Sequence, residues 1–89
     1  MKRVAVTGLG VISPVGNDVP TFWNALCSGT CGIGPITKFD ATDYPVKLAA
    51  EVRDFDPKQY MEKLDILHSD VYTHFAMAAA CQAVADSGI

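Results

Sequence analysis

Charged side chains are concentrated in the middle of this chain, and that distribution constrains its fold more than any other feature. The 89 residues carry 17 charged side chains, and 13 of these lie in the range 38–70. Residues 1–37 contain three charged side chains, and residues 71–89 contain one. A small domain that stands alone spreads charge over its whole surface. Both ends therefore resemble protein interior, and we predict that other parts of a larger protein cover them.

Composition excludes several classes of protein. Apolar residues make up 49% of the chain, which argues against intrinsic disorder. The net charge of −3 offers no clustered positive surface for nucleic acid. The uncharged stretch 19–37 contains prolines and glycines, so it is not a membrane span, and the apolar opening lacks a signal-peptide cleavage site. We therefore predict a cytoplasmic protein with neither nucleic-acid nor membrane partners.

Two segments have strand patterns. Arg3–Thr7 is a short apolar run that ends at Gly8, which predicts a strand buried on both faces of a parallel sheet. Val46–Arg53 alternates apolar and polar residues, which predicts a half-exposed strand ended by Asp54–Pro57. The segment Thr30–Tyr44 between them has a loop-like composition.

Two further segments have helix patterns, and together with the strands they predict an α/β fold. A helix near Pro20–Cys27 has Asn17 or Asp18 as its cap, and Gly29 ends it. A second, alanine-rich helix near Ser69–Ala85 ends at Gly88. We expect its apolar face (Val71, Phe75, Ala78 and Ala85) to need packing partners on several sides.

The glycines after the first apolar run suggest a dinucleotide-binding loop, but the spacing is wrong. In the G-x-G-x-x-G pattern that starts at Gly8 and Gly10, position 13 is Ser13 instead of glycine. Pro14 also interrupts the position where the phosphate-binding helix begins. The sequence therefore predicts no cofactor site.

The cysteines and histidines do not form a recognisable metal site or nucleophile. The three cysteines (Cys27, Cys31 and Cys81) are predicted to be free thiols, with Cys81 a small core residue. No base flanks any of them, although a reactive thiol needs a cation, a histidine or a helix N-terminus. His68 and His74 are six residues apart, which suits neither a zinc pair nor a shared helix face.

Two carboxylate pairs also lack a catalytic context. Asp40 with Asp43, and Asp54 with Asp56, fall in predicted loops and at strand ends, where aspartate commonly forms turns. We therefore predict that no residue of this chain is catalytic, binds a cofactor or binds a metal.

The ordered combination of several short stretches resembles the β-ketoacyl-acyl carrier protein synthases of the type I/II kind. These stretches span nearly the whole chain: Val4–Asn17, Phe22–Leu26, Ser28-Gly29, Gly32-Ile33, Phe39-Asp40, Tyr44–Lys47, Ala50–Val52, Asp54–Pro57, Asp70–Ala76 and Ala85–Ile89. The sequence departs from the family at His68-Ser69, where a basic residue and methionine are common, and at Val71, where arginine is common. These departures leave the subfamily open.

The resemblance implies that residues 1–89 are the first part of an N-terminal ketosynthase half-domain, and thus an incomplete α/β, thiolase-like fold of five layers. It implies decarboxylative condensation of an acyl group with malonyl-acyl carrier protein, usually by a homodimer that binds acyl carrier protein carrying acyl and malonyl groups. In the family a cysteine, two histidines and a lysine perform this chemistry, and all of them lie beyond the matching segment.

Three interpretations of the parent protein remain open at this stage. It could be an elongating enzyme of fatty acid synthesis, a type II polyketide ketosynthase, or an inactive chain-length partner that lacks the cysteine. A fourth interpretation, of another class, is a non-catalytic scaffold fragment.

Overall fold

The computed structural model describes the whole chain, Met1–Ile89, and it combines helices with one small sheet. The elements in chain order are α1 (Val19–Cys27), β1 (Ile33–Pro35), β2 (Leu48–Ala50), a 3₁₀ turn (Pro57–Gln59), α2 (Lys63–Leu67) and α3 (Val71–Ser87). No helix combines the length and apolar character needed to cross a membrane. The predicted mixture of helix and strand is confirmed.

Helix α1 begins and ends where the sequence predicts. The Asp18 side chain accepts a hydrogen bond from the backbone N–H of Thr21 at 2.8 Å, and this bond satisfies one of the unpaired donors at the helix start. The same bond, followed by that from the Thr21 side chain, lowers the pKa of Asp18. At the other end Gly29 has φ of +70°, a left-handed conformation that glycine adopts without strain.

Strands β1 and β2 form a two-stranded antiparallel sheet in which Ile33 pairs with Ala50 and Pro35 with Leu48. β1 lies inside the segment Thr30–Tyr44, which we predicted to be a loop. That prediction is wrong over Ile33–Pro35: glycine and proline are uncommon in strands, but both are tolerated at a sheet edge. The predicted strand Val46–Arg53 is present only over its central three residues. Leu48 and Val46, on its apolar face, are 58% and 66% exposed, so the chain covers that face only in part.

Helix α3 confirms the second predicted helix, with both ends shifted by two residues toward the C-terminus. The Asp70 carboxylate accepts the Val71 N–H at 2.8 Å. Gly88 ends the helix with φ of +76°. Two shorter elements that the sequence pattern did not predict, the 3₁₀ turn and α2, connect β2 to α3. In the same region Phe55 and Phe75 contact each other edge-on, with ring centroids 5.2 Å apart.

The predicted buried strand Arg3–Thr7 is wrong for this structure. Residues 1–10 have no regular secondary structure, and Val4 and Val6 are 92% and 78% exposed. A strand of a parallel sheet needs hydrogen-bonding neighbours, and the only sheet here is the β1–β2 pair. The apolar run has the composition of an interior strand, but no partner strand is present.

The surface area shows that these elements do not enclose a core. The chain exposes 7014 Å², whereas a folded protein of its mass, 9.5 kDa, exposes about 5,000 Å². Its radius of gyration is 15.9 Å, against about 12 Å for a compact domain of this length. Ala78 is the single buried residue. The helices and strands therefore present apolar faces that they do not cover for one another.

We expect the 89-residue chain, purified alone, to lack a cooperative unfolding transition. Trp23 is 62% exposed and one alanine constitutes the core, so the balance between burial and chain entropy is unfavourable. Urea titration followed by Trp23 fluorescence and far-ultraviolet circular dichroism measures this directly. We expect aggregation or a gradual, non-coincident change in the two signals. A single sharp transition from a soluble monomer would contradict the expectation.

Candidate functional site

Two of the three glycines in residues 1–17, here called the opening segment, lie against α3 at very close range. A Cβ atom added to Gly8 would collide with the Ala83 carbonyl oxygen and would lie 2.6 Å from the Ser87 nitrogen. A Cβ atom on Gly10 would collide with the Ala79 carbonyl oxygen. These glycines are therefore explained by main-chain packing on a helix, and they need no phosphate ligand to account for them.

Side chains of α3 hold the same segment by its amide groups. The Leu9 N–H donates to Asp86 Oδ2 at 3.0 Å, and the Val11 N–H donates to Gln82 Oε1 at 3.0 Å. Residues 82 and 86 are one helical turn apart on the same face, so they reach alternate amides of an extended chain. The side chains of α3 thus accept the backbone N–H groups that, in a sheet, would donate to the carbonyl groups of a neighbouring strand.

Gln82 also connects two other parts of the chain. Its Nε2 donates to the Asn17 carbonyl oxygen at 2.6 Å and to the Tyr60 hydroxyl at 3.2 Å. Asn17 in turn donates from Nδ2 to the Arg53 carbonyl oxygen at 2.7 Å, while its buried Oδ1 has no hydrogen-bond partner. One part-buried amide therefore ties α3 to the opening segment and to the residue after the 3₁₀ turn.

A polar concavity of about 400 Å³ lies beside this network, between the turn at Ser13 and the start of α1. The Ser13 hydroxyl donates to the Gly16 carbonyl oxygen at 2.8 Å, and Asp18 is committed to Thr21. Cys31, Arg53 and Asp54 also line the concavity. The Ser13 hydroxyl and the Asp18 carboxylate therefore stabilise local structure, which differs from the role of a free acid or base in a catalytic centre.

The three cysteines are all exposed. The prediction that Cys81 is a core residue is therefore wrong, because it lies on the uncovered face of α3 beside Met77 and Val84. Cys31 Sγ has only the Ile33 carbonyl oxygen as a partner, at 3.8 Å. None of these thiols is paired with a histidine, which is the arrangement that activates a cysteine nucleophile.

The remaining candidates also have local structural roles. Asp56 Oδ1 accepts the Lys58 N–H at 3.0 Å, which confirms its predicted role in a turn. His74 Nε2 lies 3.2 Å from the Ile66 carbonyl oxygen, and His68 follows the last residue of α2. No group of three or more histidine, cysteine, aspartate or glutamate side chains is close enough to hold a metal ion.

Two further carboxylates organise the hairpin that β1 and β2 form. Hydrogen bonds from the Thr42 side chain and then its backbone lower the pKa of Asp40. The Thr37 hydroxyl, which donates to Glu51 at 2.9 Å, is the main cause of the lowered pKa of Glu51. Both carboxylates are ionised acceptors in fixed turns, which is unlike a general acid poised near neutral pH.

The roles of Gln82 and Asp86 were not predicted, although the sequence carries a signal for them. They are the two hydrogen-bonding polar residues of the alanine-rich stretch 76–86, and they are spaced by one helical turn. Polar side chains on a helix that is otherwise apolar all round mark points of specific contact.

We expect Gln82→Leu to destabilise the natural full-length protein by about 1–3 kcal/mol, because it leaves the Val11 N–H and the Asn17 carbonyl without their partner. Gln59→Leu is the matched control, since Gln59 is exposed on the 3₁₀ turn and its loss costs within about 0.5 kcal/mol. Urea unfolding midpoints measure both variants. Equal midpoints for the two variants would show that the Gln82 network contributes nothing.

Comparison with known proteins places these features in a family. The family described as "Beta-ketoacyl synthase, N-terminal domain" matches residues 1–89. The chain is 51% identical over 88 residues to 3-oxoacyl-[acyl-carrier-protein] synthase 2 of Coxiella burnetii, covering 99% of this chain and 21% of that protein. It is 45% identical to the Synechocystis protein of the same name, covering 97% of this chain and 21% of that protein.

A solved structure agrees with the sequence relatives. The ishigamide ketosynthase/chain length factor superimposes with a TM-score of 0.85 at 36% identity, over 94% of this chain and 21% of that one. This chain thus spans about a fifth of the length of the proteins it resembles. Family and fold agree, and the chain belongs to the β-ketoacyl synthases through the N-terminal domain of that family.

Proposed function

We propose that residues 1–89 are the N-terminal part of a 3-oxoacyl-acyl carrier protein synthase that elongates fatty acids in the cytoplasm. The observation that carries the proposal is identity of 51% and 45%, over nearly the whole chain, to two proteins named 3-oxoacyl-[acyl-carrier-protein] synthase 2. In this proposal the parent enzyme condenses an acyl thioester with malonyl-acyl carrier protein and releases carbon dioxide. Its partners are acyl carrier protein carrying acyl and malonyl groups, and a second copy of itself.

We assign residues 1–89 a scaffold role within the N-terminal half-domain of a layered, thiolase-like fold. The excess exposed area supports this assignment, since roughly 2,000 Å² separates the chain from a self-contained protein of its mass. The hydrogen-bonded groups described above cap a helix, form turns or hold the residues around Leu9 and Val11 against α3. The segment would therefore contribute geometry, while residues elsewhere in the parent protein perform the chemistry.

A second function has one specific observation in its favour. The solved structure that superimposes on this chain is named a ketosynthase/chain length factor. A polyketide ketosynthase, or an inactive chain-length partner, would use the same opening scaffold.

Activity of the natural full-length protein separates these possibilities. Incubation with acyl- and malonyl-acyl carrier protein should release carbon dioxide and yield a 3-oxoacyl product two carbons longer. A protein that is inactive alone but restores chain-length control to a separate ketosynthase would instead be a chain-length partner. Folding without activity in either assay would contradict both functions.

We expect each of Cys27→Ala, Cys31→Ala and Cys81→Ala to retain condensation activity within about tenfold of the parent, or about 1.4 kcal/mol of barrier. All three thiols are exposed and none has a base as a partner. Rates under saturating substrate, with circular dichroism as the control for folding, measure the effect. A loss near a thousandfold in a correctly folded variant would identify a catalytic cysteine in this segment.

A further inference from the structure

The amino group of Lys47 is held in an unusual way among the lysines of this chain. Its Nζ donates to three main-chain carbonyl oxygens, those of Ala41 at 3.1 Å, Thr42 at 2.8 Å and Tyr44 at 3.0 Å. An ammonium group has three N–H donors, so this arrangement uses all of them. Hydrogen bonds from a charged donor are roughly twice as strong as neutral ones.

These bonds close the loop that joins β1 to β2. The Lys47 carbonyl oxygen accepts the Ile36 N–H at 3.0 Å, which continues the ladder beyond β1. The Ala41 carbonyl oxygen that receives the ammonium also accepts the Tyr44 N–H at 3.0 Å. One residue therefore bonds the strand side of the hairpin through its backbone and the loop side through its side chain.

The closed loop shapes an apolar surface. Phe39 and Tyr44 contact each other edge-on, with ring centroids 5.7 Å apart. Together with Ile36, Val46 and Leu48 they line a depression of about 410 Å³. Tyr44 belongs both to this wall and to the three carbonyls that Lys47 binds, so the position of the ring depends on the state of the loop.

We propose that Lys47 is a latch that fixes the residue 41–44 loop and with it the Phe39–Tyr44 wall, and that loss of the ammonium group releases both.

Acylation of the Lys47 amine would release the latch. The ammonium group first loses a proton to solvent, and the neutral amine attacks the carbonyl carbon of an anhydride or thioester. The carboxylate or thiolate departs with the bonding electrons and nitrogen loses a second proton, so the resulting neutral amide keeps a single N–H. While the latch is closed, its amine is engaged and should react more slowly than the other lysines. The inference depends on these contacts and does not require the proposed synthase activity.

Hydrogen exchange of the natural full-length protein tests the latch. Lys47→Met keeps an unbranched side chain as far as the ε position and removes the amino group with its donors, and Lys58→Met is the matched control on the 3₁₀ turn. We expect the Tyr44 and Ile36 amides to exchange about tenfold faster in Lys47→Met than in the parent, through local opening, while α1 and α3 amides are unchanged. Unchanged exchange at Tyr44 would overturn the proposal, as would equal acceleration by Lys58→Met.

Competitive labelling of the unsubstituted protein covers the case in which Lys47→Met does not fold. Acetic anhydride is applied at limiting concentration, and acetylation at Lys47 and Lys58 is counted by mass spectrometry. We expect about tenfold less label at Lys47 than at Lys58 in the native protein, and equal label after denaturation in urea. Equal label in the native protein would overturn the proposal.

Discussion

The contact between the opening segment and α3 is the interaction on which the rest of this structure depends. It joins residues that are more than 70 positions apart in the chain, through the bonds from Leu9 to Asp86 and from Val11 to Gln82. The close approach needs glycine on one side and small residues on the other. Because Gln82 also binds Asn17 and Tyr60, the position of α1 and of the segment after β2 follows from the same contact.

Local signals in the sequence were sufficient for the two longer helices, α1 and α3. Asp18 and Gly29 at the two ends of α1, and Gly88 at the end of α3, act through bonds and backbone angles within a few residues, so a sequence pattern can predict them. The same holds for the aspartates that form turns. The family resemblance depended on the order of many such short stretches.

Features that require distant partners could not be predicted in this way. Val4 and Val6 have the composition of an interior strand but no neighbouring strand in this chain, and Cys81 was expected in a core that is not formed. Periodicity reports which face a residue occupies and does not report what covers that face. For the same reason the packing of the opening segment on α3 could be seen only in the three-dimensional structure.

The main-chain atoms that approach Gly8 and Gly10 have a consequence for genetic suppression. Each added Cβ would meet a carbonyl oxygen of the α3 main chain, at Ala83 and Ala79 respectively. A clash with a side chain can be relieved by shortening that side chain, but every amino acid carries the same carbonyl group. No replacement within α3 therefore removes the carbonyl oxygen itself, so suppressors of a substitution at Gly8 or Gly10 should act by moving the helix.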